Sequence, residues 1–217
     1  MDRILLIDKP AGMTSHDVVD RVRKIFGTRQ VGHAGTLDPF ATGLLLIGVG
    51  AATKRLSEYV GLDKTYEATA RLGATSTTFD PEGTIVEIPN PKFQIPTRDD
   101  VENALETFRG RYDQKAPLHS AKKLGGKKLY ELARKGTATE DMRPTKRVTI
   151  SELKILSYEW PSLKFRVRCS SGTYIRSLAD DIGRALGCGA YLTELRRTAI
   201  GQHLIGDATP LDKLTAD

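Results

Sequence analysis

Apolar residues recur at helical spacing in three segments of the chain. The first helix is predicted to begin at Thr14 or Ser15 and to end at Gly27, because both ends carry residues typical of helix caps. A second helix is predicted after Thr97, with an acidic first turn, and a third over GTYIRSLADDIGRALG, ending at Gly187. The apolar face of the first helix consists of Val18, Val19, Val22, Ile25 and Phe26.

Strands are predicted where apolar and polar residues alternate, or where a short apolar run lies between turns. The segments are RILLIDKP, LLLIGV, KTYEATARLG, TIVEI, RVTISELKIL, SLKFRVRCS and ELRRTAIG. A polar turn is expected at 73–83, after the third of these. Because strands follow strands as often as they follow helices, the fold is predicted to be α+β, with a mixed, largely antiparallel central sheet and flanking helices.

Composition adds limits to this picture. The 217 residues are 39% hydrophobic and 28% charged, which suits a folded globular protein. No apolar run approaches the roughly 20 residues of a membrane helix, and MDRILLIDKP is no secretory leader, so a cytoplasmic protein without a membrane partner is expected. Cys169 and Cys188 lack metal-ligand spacing and are expected to be buried thiols. Without repeats or linkers, we expect one domain over 1–217.

Positive charge is concentrated in residues 111–135. The chain carries a net charge of +6, and this stretch alone holds eight Lys and Arg against Asp113 and Glu131. Four lysines flank the pair Gly125-Gly126, namely Lys122, Lys123, Lys127 and Lys128. Such a run is often only a solvated face. It also suits an element that neutralises phosphates and stacks on bases, so a nucleic-acid partner is the second interpretation.

Asp38 lies in the glycine-rich segment GHAGTLDPFATGLLLIGVG, residues 32–50. An Asp-Pro pair is typical of a helix start, with Asp at the N-cap and Pro at the first position of the helix. A helix beginning there would meet Thr42-Gly43 within a turn and then a strand-like run, so little helix would remain to be capped. Both a cap and a reacting carboxylate are open interpretations.

Arg176 falls in the first turns of the third predicted helix, where the helix dipole disfavours a cation. Such an arginine either stays solvated or binds a carboxylate, which a guanidinium can hold ionised through two hydrogen bonds. GVGAAT resembles a dinucleotide-binding loop only weakly, because Thr53 stands at the third position. The histidines are scattered, and no motif indicates a metal.

Several long segments, in order, resemble the TruB family of tRNA pseudouridine synthases. They are LLIDKPAGMTSHDVV, GHAGTLDPFATGLL, DKTYEATARLG, CSSGTYIRSLADDIG and YLTELRRTAIG. LHSAKKLGGKKLYELARKG is similar to the thumb segment that bacterial members press onto RNA, which implies an insertion at about 111–146. The resemblance implies the pseudouridine synthase fold and a monomer that isomerises the T-loop uridine at position 55 of tRNA to pseudouridine without metal or cofactor.

The resemblance also implies roles for individual residues. Asp38 would be the catalytic aspartate, Arg176 its ion-pair partner, and Tyr66 a residue against the target uracil, although a tyrosine on a strand's inner face can also be simple core. His33 would fill the gap left by a flipped base, with a cap or core role as the alternative. The other substrate-binding residues would be Lys9, Pro10, Leu195, Lys122, Lys123, Lys127 and Lys128.

Three interpretations of function remain at this stage. The first is the enzyme, which the presence of Asp38, Tyr66 and Arg176 together favours. The second is an RNA-binding or tRNA-folding module on the same fold, and the third is a catalytic subunit directed by guide RNA. Many bacterial members continue into a small PUA-type RNA-binding domain, and no complete domain of that type is expected within these residues.

Overall fold

The computed structural model describes residues 2–89, 94–120, 123–124 and 126–216. Its helices are α1 (Ser15–Phe26), α2 (Ser57–Val60), α3 (Arg98–Glu106), α4 (Leu129–Arg134) and α5 (Ile175–Ala185), with 3₁₀ turns at Gly50–Arg55, Glu140–Met142, Ile205–Asp207 and Leu211–Lys213. Its strands are β1 (Arg3–Lys9), β2 (Val31–His33), β3 (Thr42–Val49), β4 (Lys64–Leu72), β5 (Ala74–Ser76), β6 (Ile85–Glu87), β7 (Gly110–Lys115), β8 (Lys123–Leu124), β9 (Lys127–Lys128), β10 (Thr145–Glu159), β11 (Ser162–Cys169), β12 (Ala190–Ile200), β13 (His203–Leu204) and β14 (Thr209–Pro210).

Ten strands form one sheet, in the order β14-β1-β3-β12-β4-β11-β10-β7, with β2 beside β3 and β13 beside β12. Most of the described pairs are antiparallel, whereas β1 with β14 and β3 with β12 are parallel. This mixed sheet with few helices confirms the α+β prediction. The chain divides into two compact units, the first formed by Met1–Glu67, Val167–Ser171 and Glu194–Asp217, the second by Ala68–Arg166 and Gly172–Thr193.

The first unit is built around β3, whose residues from Gly43 to Val49 are all buried. Strand β1 pairs with β3 from Arg3 opposite Val49 to Lys9 opposite Gly43. Helix α1 covers one face of these strands through an apolar cluster. Members of that cluster include Val18, Val19, Val22, Leu45 and Ile47. Burial of this face, which the sequence pattern predicts, fixes the position of α1.

Helix α1 begins and ends where the sequence predicts. The Thr14 side chain accepts a hydrogen bond from the Asp17 amide, and the Asp17 carboxylate accepts one from the Thr14 amide, which completes a capping box. Gly27 ends the helix in the left-handed conformation, with φ of 61°. The residue after the cap, Ser15, is therefore held at a defined place at the helix start.

The second unit confirms most of the predicted elements and corrects one. In β11 the residues Leu163 and Phe165 are buried in alternation with exposed ones. The polar stretch at 73–83 was expected to be wholly a turn, but Ala74–Ser76 forms β5 and pairs antiparallel with β6. The pairing shortens the turn to the residues between the two strands, which include Asp80.

The basic segment contains a small hairpin followed by a helix. Strands β8 and β9 pair antiparallel, with Lys123 opposite Lys128 and Leu124 opposite Lys127, and α4 follows directly. The side chains of Lys123, Lys127 and Lys128 are not described, and Lys122 and Gly125 lie outside the described residues. Where the segment leaves the rest of the second unit, Ala116 donates a backbone hydrogen bond to the Pro144 carbonyl, 3.0 Å away.

Both cysteines are free and buried, as expected from their spacing. Cys169 is 1% exposed and Cys188 is 0% exposed. Across the described part of the chain, no helix has the length and apolarity needed to cross a membrane.

Candidate active site

Asp38 lies on a turn between β2 and β3 and is half-buried. Its backbone carbonyl accepts a hydrogen bond from the Ala41 amide at 3.1 Å, and β3 begins at Thr42. The helix-cap interpretation of Asp38 is therefore wrong, because the chain enters a strand, and no helix, directly after the turn. The reacting-carboxylate interpretation of Asp38 stays a prediction.

Two buried side chains hold this turn from the first motif of the chain. Lys9 is 0% exposed, and its ammonium donates to the carbonyls of Pro10, Met13 and Pro39 at 2.8, 2.7 and 3.3 Å. The Ser15 hydroxyl accepts from the Leu37 amide at 2.8 Å and contacts the Leu37 carbonyl at 3.2 Å. The residues on both sides of Asp38, Leu37 and Pro39, are thus held by hydrogen bonds to buried side chains.

A third buried side chain, Arg197 on β12, holds the same loop from the other end of the sequence. Its guanidinium donates to the carbonyls of Leu44, Gly35 and Thr36 at 2.7, 3.2 and 3.4 Å. The approach is close, because a Cβ at Gly43 would lie 2.3 Å from the Arg197 carbonyl oxygen. Gly43 also has a φ of 105°, so this position requires glycine for two independent reasons.

Tyr66 on β4 is buried within the same unit and interacts with both Asp38 and Arg197. Burial raises the pKa of its hydroxyl, and the positive charge of the Arg197 guanidinium acts in the opposite direction. The Asp38 charge also contributes to raising the Tyr66 pKa. The charges of Asp38 and Arg197 are therefore both close enough to Tyr66 to shift its pKa.

His33 and Leu195 are two further expected site residues of the first unit. Burial lowers the pKa of His33, with the charges of Arg197 and His16 acting in the same direction, which favours a neutral ring. The Nδ1 atom of His33 is buried and makes no hydrogen bond. Leu195, on β12, is 6% exposed.

Pro10 lines a cavity of about 440 Å³ in the first unit. The cavity is bordered by Asp8, Lys9, Pro10, Met13, Arg21, Thr42, Arg196, Leu211 and Asp212. One side of it is closed by a bidentate ion pair, in which Arg196 donates to both carboxylate oxygens of Asp8, at 2.7 and 3.1 Å. The Lys9 ammonium contacts the carbonyls of both Pro10 and Pro39, and so links Pro10 to the turn that carries Asp38.

Arg176 is the second residue of α5, in the second unit, and is 5% exposed. Its guanidinium forms an ion pair with Asp80 at 3.2 Å and donates to the carbonyls of Thr78 and His119 at 2.9 and 3.1 Å. The solvated interpretation of Arg176 is therefore wrong. The expected pair of Arg176 with Asp38 remains a prediction.

The start of α5, which sets the position of Arg176, is held by β7. The cap residue Tyr174 makes no side-chain cap bond. Instead, the Gln114 amide group accepts from the Tyr174 amide at 2.8 Å and donates to the Tyr174 carbonyl at 3.0 Å. Ser177 adds a hydrogen bond to the Lys115 carbonyl at 2.8 Å. These contacts replace the missing cap with partners from a neighbouring strand.

Sequence patterns do not single out Arg197, which contacts the loop of Asp38, or Asp80, which contacts Arg176. They place Arg197 only on a strand and Asp80 only in a polar turn. The available signal is weak in both cases: a second arginine in ELRRTAIG on an otherwise apolar strand, and an Asp-Pro pair in a turn. In the described ranges, no group of three or more His, Cys, Asp or Glu side chains could hold a metal ion.

Comparison with known proteins identifies the class first. The model of the TruB family pseudouridylate synthase N-terminal domain matches residues 23–175, and that of the tRNA pseudouridylate synthase B C-terminal domain matches residues 176–216. A crystal structure of a Cbf5-Nop10-Gar1 complex shares 29% identity and a TM-score of 0.74 over 97% of this chain and 53% of that chain. The fold is that of a pseudouridine synthase, which is an isomerase.

Curated relatives make the assignment specific. The tRNA pseudouridine synthase B of Mycobacterium sp. (strain KMS) is 49% identical over 215 residues, which is 97% of this chain and 71% of the relative. That of Azoarcus sp. (strain BH72) is 48% identical over 217 residues, covering 100% of this chain and 70% of the relative. The chain belongs to the TruB family of pseudouridylate synthases.

Proposed function

We propose that this chain acts as a monomer on tRNA and isomerises the uridine at position 55 of the T loop to pseudouridine. The N1–C1′ glycosidic bond breaks, the uracil turns, and C5 bonds to C1′, so that no atom is gained or lost. The tRNA pseudouridine synthase B names of the relatives support the substrate class. The basic residues of the segment at 111–135 support a polyanionic partner.

Asp38 is the catalytic residue in this proposal. The observation that carries it is the half-buried Asp38 carboxylate on a turn held on both sides by the buried cations Lys9 and Arg197, with Tyr66 in electrostatic contact. An ionised carboxylate held in this way can attack carbon or remove a proton from the sugar. A positioned reacting group gains most of its rate from such fixed geometry.

Arg176 is proposed to hold the Asp38 carboxylate ionised and oriented. Its own orientation is supported by the Asp80 carboxylate and by the carbonyls of Thr78 and His119. A guanidinium presents five donors in one plane, a geometry that suits contact with a carboxylate through two hydrogen bonds. Asp80 is therefore included as a positioning residue.

The base itself must leave its stack to reach a buried carboxylate, at a cost of about a few kcal/mol. His33, whose ring is favoured as neutral, is proposed to stack where the uracil was. Tyr66 and Leu195 would lie on the two faces of the flipped base and exclude water. Lys122, Lys123, Lys127 and Lys128 would neutralise phosphates of the T stem.

The test is Asp38→Asn against the unchanged chain, with unmodified tRNA and an assay for pseudouridine. The unchanged chain should form one pseudouridine at position 55. Asp38→Asn should bind tRNA and form none, because a neutral amide neither attacks carbon nor accepts the proton. The exposed Asp207, changed to Asn, is the matched control and should keep full activity.

Each alternative gives a distinct result in the same assay. Binding of tRNA without turnover by the unchanged chain would indicate an RNA-binding or folding module. Activity only with added guide components would indicate a guided subunit, as in the H/ACA ribonucleoprotein structure bound to substrate RNA, to which this chain is 27% identical over 51% of that chain. Substantial product from Asp38→Asn would remove Asp38 from the chemistry.

A further inference from the structure

Arg143 lies where the long connection between β7 and β10 returns to the sheet. This β7–β10 connection, residues 116–144, carries the β8–β9 hairpin and α4, and with them most lysines of the basic segment. At its junction with the sheet, Lys115 pairs with Thr145, and the Ala116 amide donates to the Pro144 carbonyl at 3.0 Å. Contacts at this junction therefore affect where the connection lies relative to β7 and β10.

The Arg143 side chain is buried at the junction and binds both ends of the connection. At the start of the connection, its guanidinium donates to the carbonyls of Lys115 and Ala116, at 3.3 and 2.8 Å. At the end, it donates to the exposed Glu140 carboxylate at 2.7 Å, although Arg143 itself is only 6% exposed. A buried cation is costly unless its donors are satisfied, so the guanidinium favours the arrangement in which both ends are bound.

Phe79, on the turn between β5 and β6, covers a face of the same guanidinium. The guanidinium carbon of Arg143 lies 5.0 Å from the centroid of the Phe79 ring, which is a cation–π contact. Phe79 has a φ of 62°, a conformation that residues other than glycine rarely adopt. Its amide donates to the Ser76 carbonyl and its carbonyl accepts from the Leu192 amide, both at 3.0 Å. Such a conformation persists where the surroundings hold it, and here it places the ring against Arg143.

We propose that Arg143 is a positioning residue for tRNA binding, which fixes the β7–β10 connection to the sheet so that its lysines reach RNA phosphates together. The inference rests on the proposed function, because it acts through lysines that are proposed there to neutralise phosphates. A lysine at position 143 would keep the charge, but it lacks the planar fork that binds both ends of the connection and stacks on a ring. A loosened connection would have to be ordered on binding, at a cost in affinity.

Arg143→Lys tests this role without changing the net charge. The dissociation constant for tRNA should rise, and the slope of log K against log salt concentration should become shallower by about 0.7 to 0.9 for each phosphate that is no longer neutralised. A loss of stability alone would leave the slope of the folded protein unchanged.

Arg109→Lys is the matched control for this variant. Arg109 also binds a backbone carbonyl, that of Leu153 at 2.8 and 3.0 Å, and the carboxylate of a glutamate three residues before it, Glu106, but it lies outside the connection. Its slope should equal that of the unchanged chain. An unchanged slope for Arg143→Lys as well would overturn the proposal.

Glu140→Ala is a test in which two explanations predict opposite signs. The substitution removes an exposed negative charge, so long-range electrostatics alone would strengthen tRNA binding. It also removes an acceptor of the Arg143 guanidinium, so the proposal predicts weaker binding. Glu131→Ala, the same charge change at an exposed residue of α4, is the matched control and should bind tRNA at least as tightly as the unchanged chain. Tighter or unchanged binding by Glu140→Ala would contradict the proposal.

A double-mutant cycle shows whether Arg143 acts through the lysines of the connection. Replacing Lys127 and Lys128 together by Gln should make the salt slope shallower in the unchanged chain. The same replacement should have a much smaller effect in the Arg143→Lys background, where these lysines already reach phosphates less often. Equal effects in both backgrounds would mean that Arg143 acts independently of the two lysines, and the proposal would fail.

Hydrogen exchange keeps the proposal testable even if Arg143→Lys does not fold. In Glu140→Ala, which changes an exposed side chain, the Ala116 amide should exchange faster, because its bond to the Pro144 carbonyl lies at the junction that Arg143 holds. Unchanged exchange at Ala116, with Glu131→Ala as the reference, would contradict the proposal. Failure of the proposed function would appear separately, as no pseudouridine from the unchanged chain, and would leave the binding and exchange results intact.

Discussion

At the scale of single residues, this protein buries several charged side chains and binds most of them to backbone carbonyls. Lys9, Arg197 and Arg143 are each bonded to two or more carbonyl oxygens and are at most 6% exposed. Sequence motifs revealed Lys9 as a site residue but not Arg197, because a strand arginine that turns inward has the same sequence pattern as one that faces water. The partners that make the difference are distant in sequence.

Asp181 on α5 is a half-buried acidic side chain. Burial and the neighbouring Asp180 raise the pKa of Asp181 from 3.8 to about 6, despite the opposing charges of Arg143, Arg184 and Lys115. The ionised form is therefore disfavoured in the folded state, and this cost is fully present above pH 6 and disappears as the pH falls toward 4.

Asp181→Asn should consequently raise the free energy of unfolding by about 1 to 2 kcal/mol near pH 7.5, a value that allows for partial solvent screening. The gain should nearly vanish at about pH 3.5, below the unfolded-state pKa of 3.8, where the carboxyl is largely protonated in both the folded and the unfolded state. Denaturant unfolding at the two pH values measures it, with Asp207→Asn as an exposed control. The same gain at both pH values would contradict a titration effect.

At the scale of elements, local signals predicted the starts of α1 and α3 correctly, because both helices begin with a capping box formed by residues three apart. The start of α5 was predicted near Gly172 but lies at Ile175. No local cap exists there, since the partners come from Gln114, sixty residues away in sequence. Elements held by long-range contacts are the ones whose boundaries sequence patterns miss.

The start of α1 allows a test of how an element supports the site. Ser15→Ala should leave the Leu37 amide without its partner, costing about 1 to 3 kcal/mol of stability and also lowering the rate of pseudouridine formation, because the Asp38 turn loosens. Thr14→Ala should cost about 1 kcal/mol through the lost cap alone and leave the rate unchanged. Equal rates in the two variants would show that Ser15 acts only on stability.

At the scale of the whole molecule, the net charge of +6 equals the local balance of residues 111–135. The remaining charges largely cancel, and many form surface ion pairs such as Arg55 with Glu58 and Arg23 with Asp20. Polyanion binding should therefore depend chiefly on the basic segment. Composition alone predicted this distribution, while the hairpin that carries Lys127 and Lys128 was not foreseen.

Salt dependence of tRNA binding measures that contribution. Replacing Lys127 and Lys128 together by Gln should weaken binding and reduce the slope of log K against log salt concentration by about 0.7 to 0.9 for each phosphate that is no longer neutralised. Lys154→Gln, at an exposed lysine 3.7 Å from Glu152, is the control. An unchanged slope in the double variant would mean that these two lysines bind no phosphate.

Because both native thiols are buried, the protein can be labelled selectively at a single introduced cysteine. Maleimide reagents should leave Cys169 and Cys188 intact, so one cysteine introduced at the exposed Glu131 of α4 would take a fluorophore selectively. Anisotropy of that dye during mixing with RNA would report when the basic segment engages its ligand, independently of any chemical step.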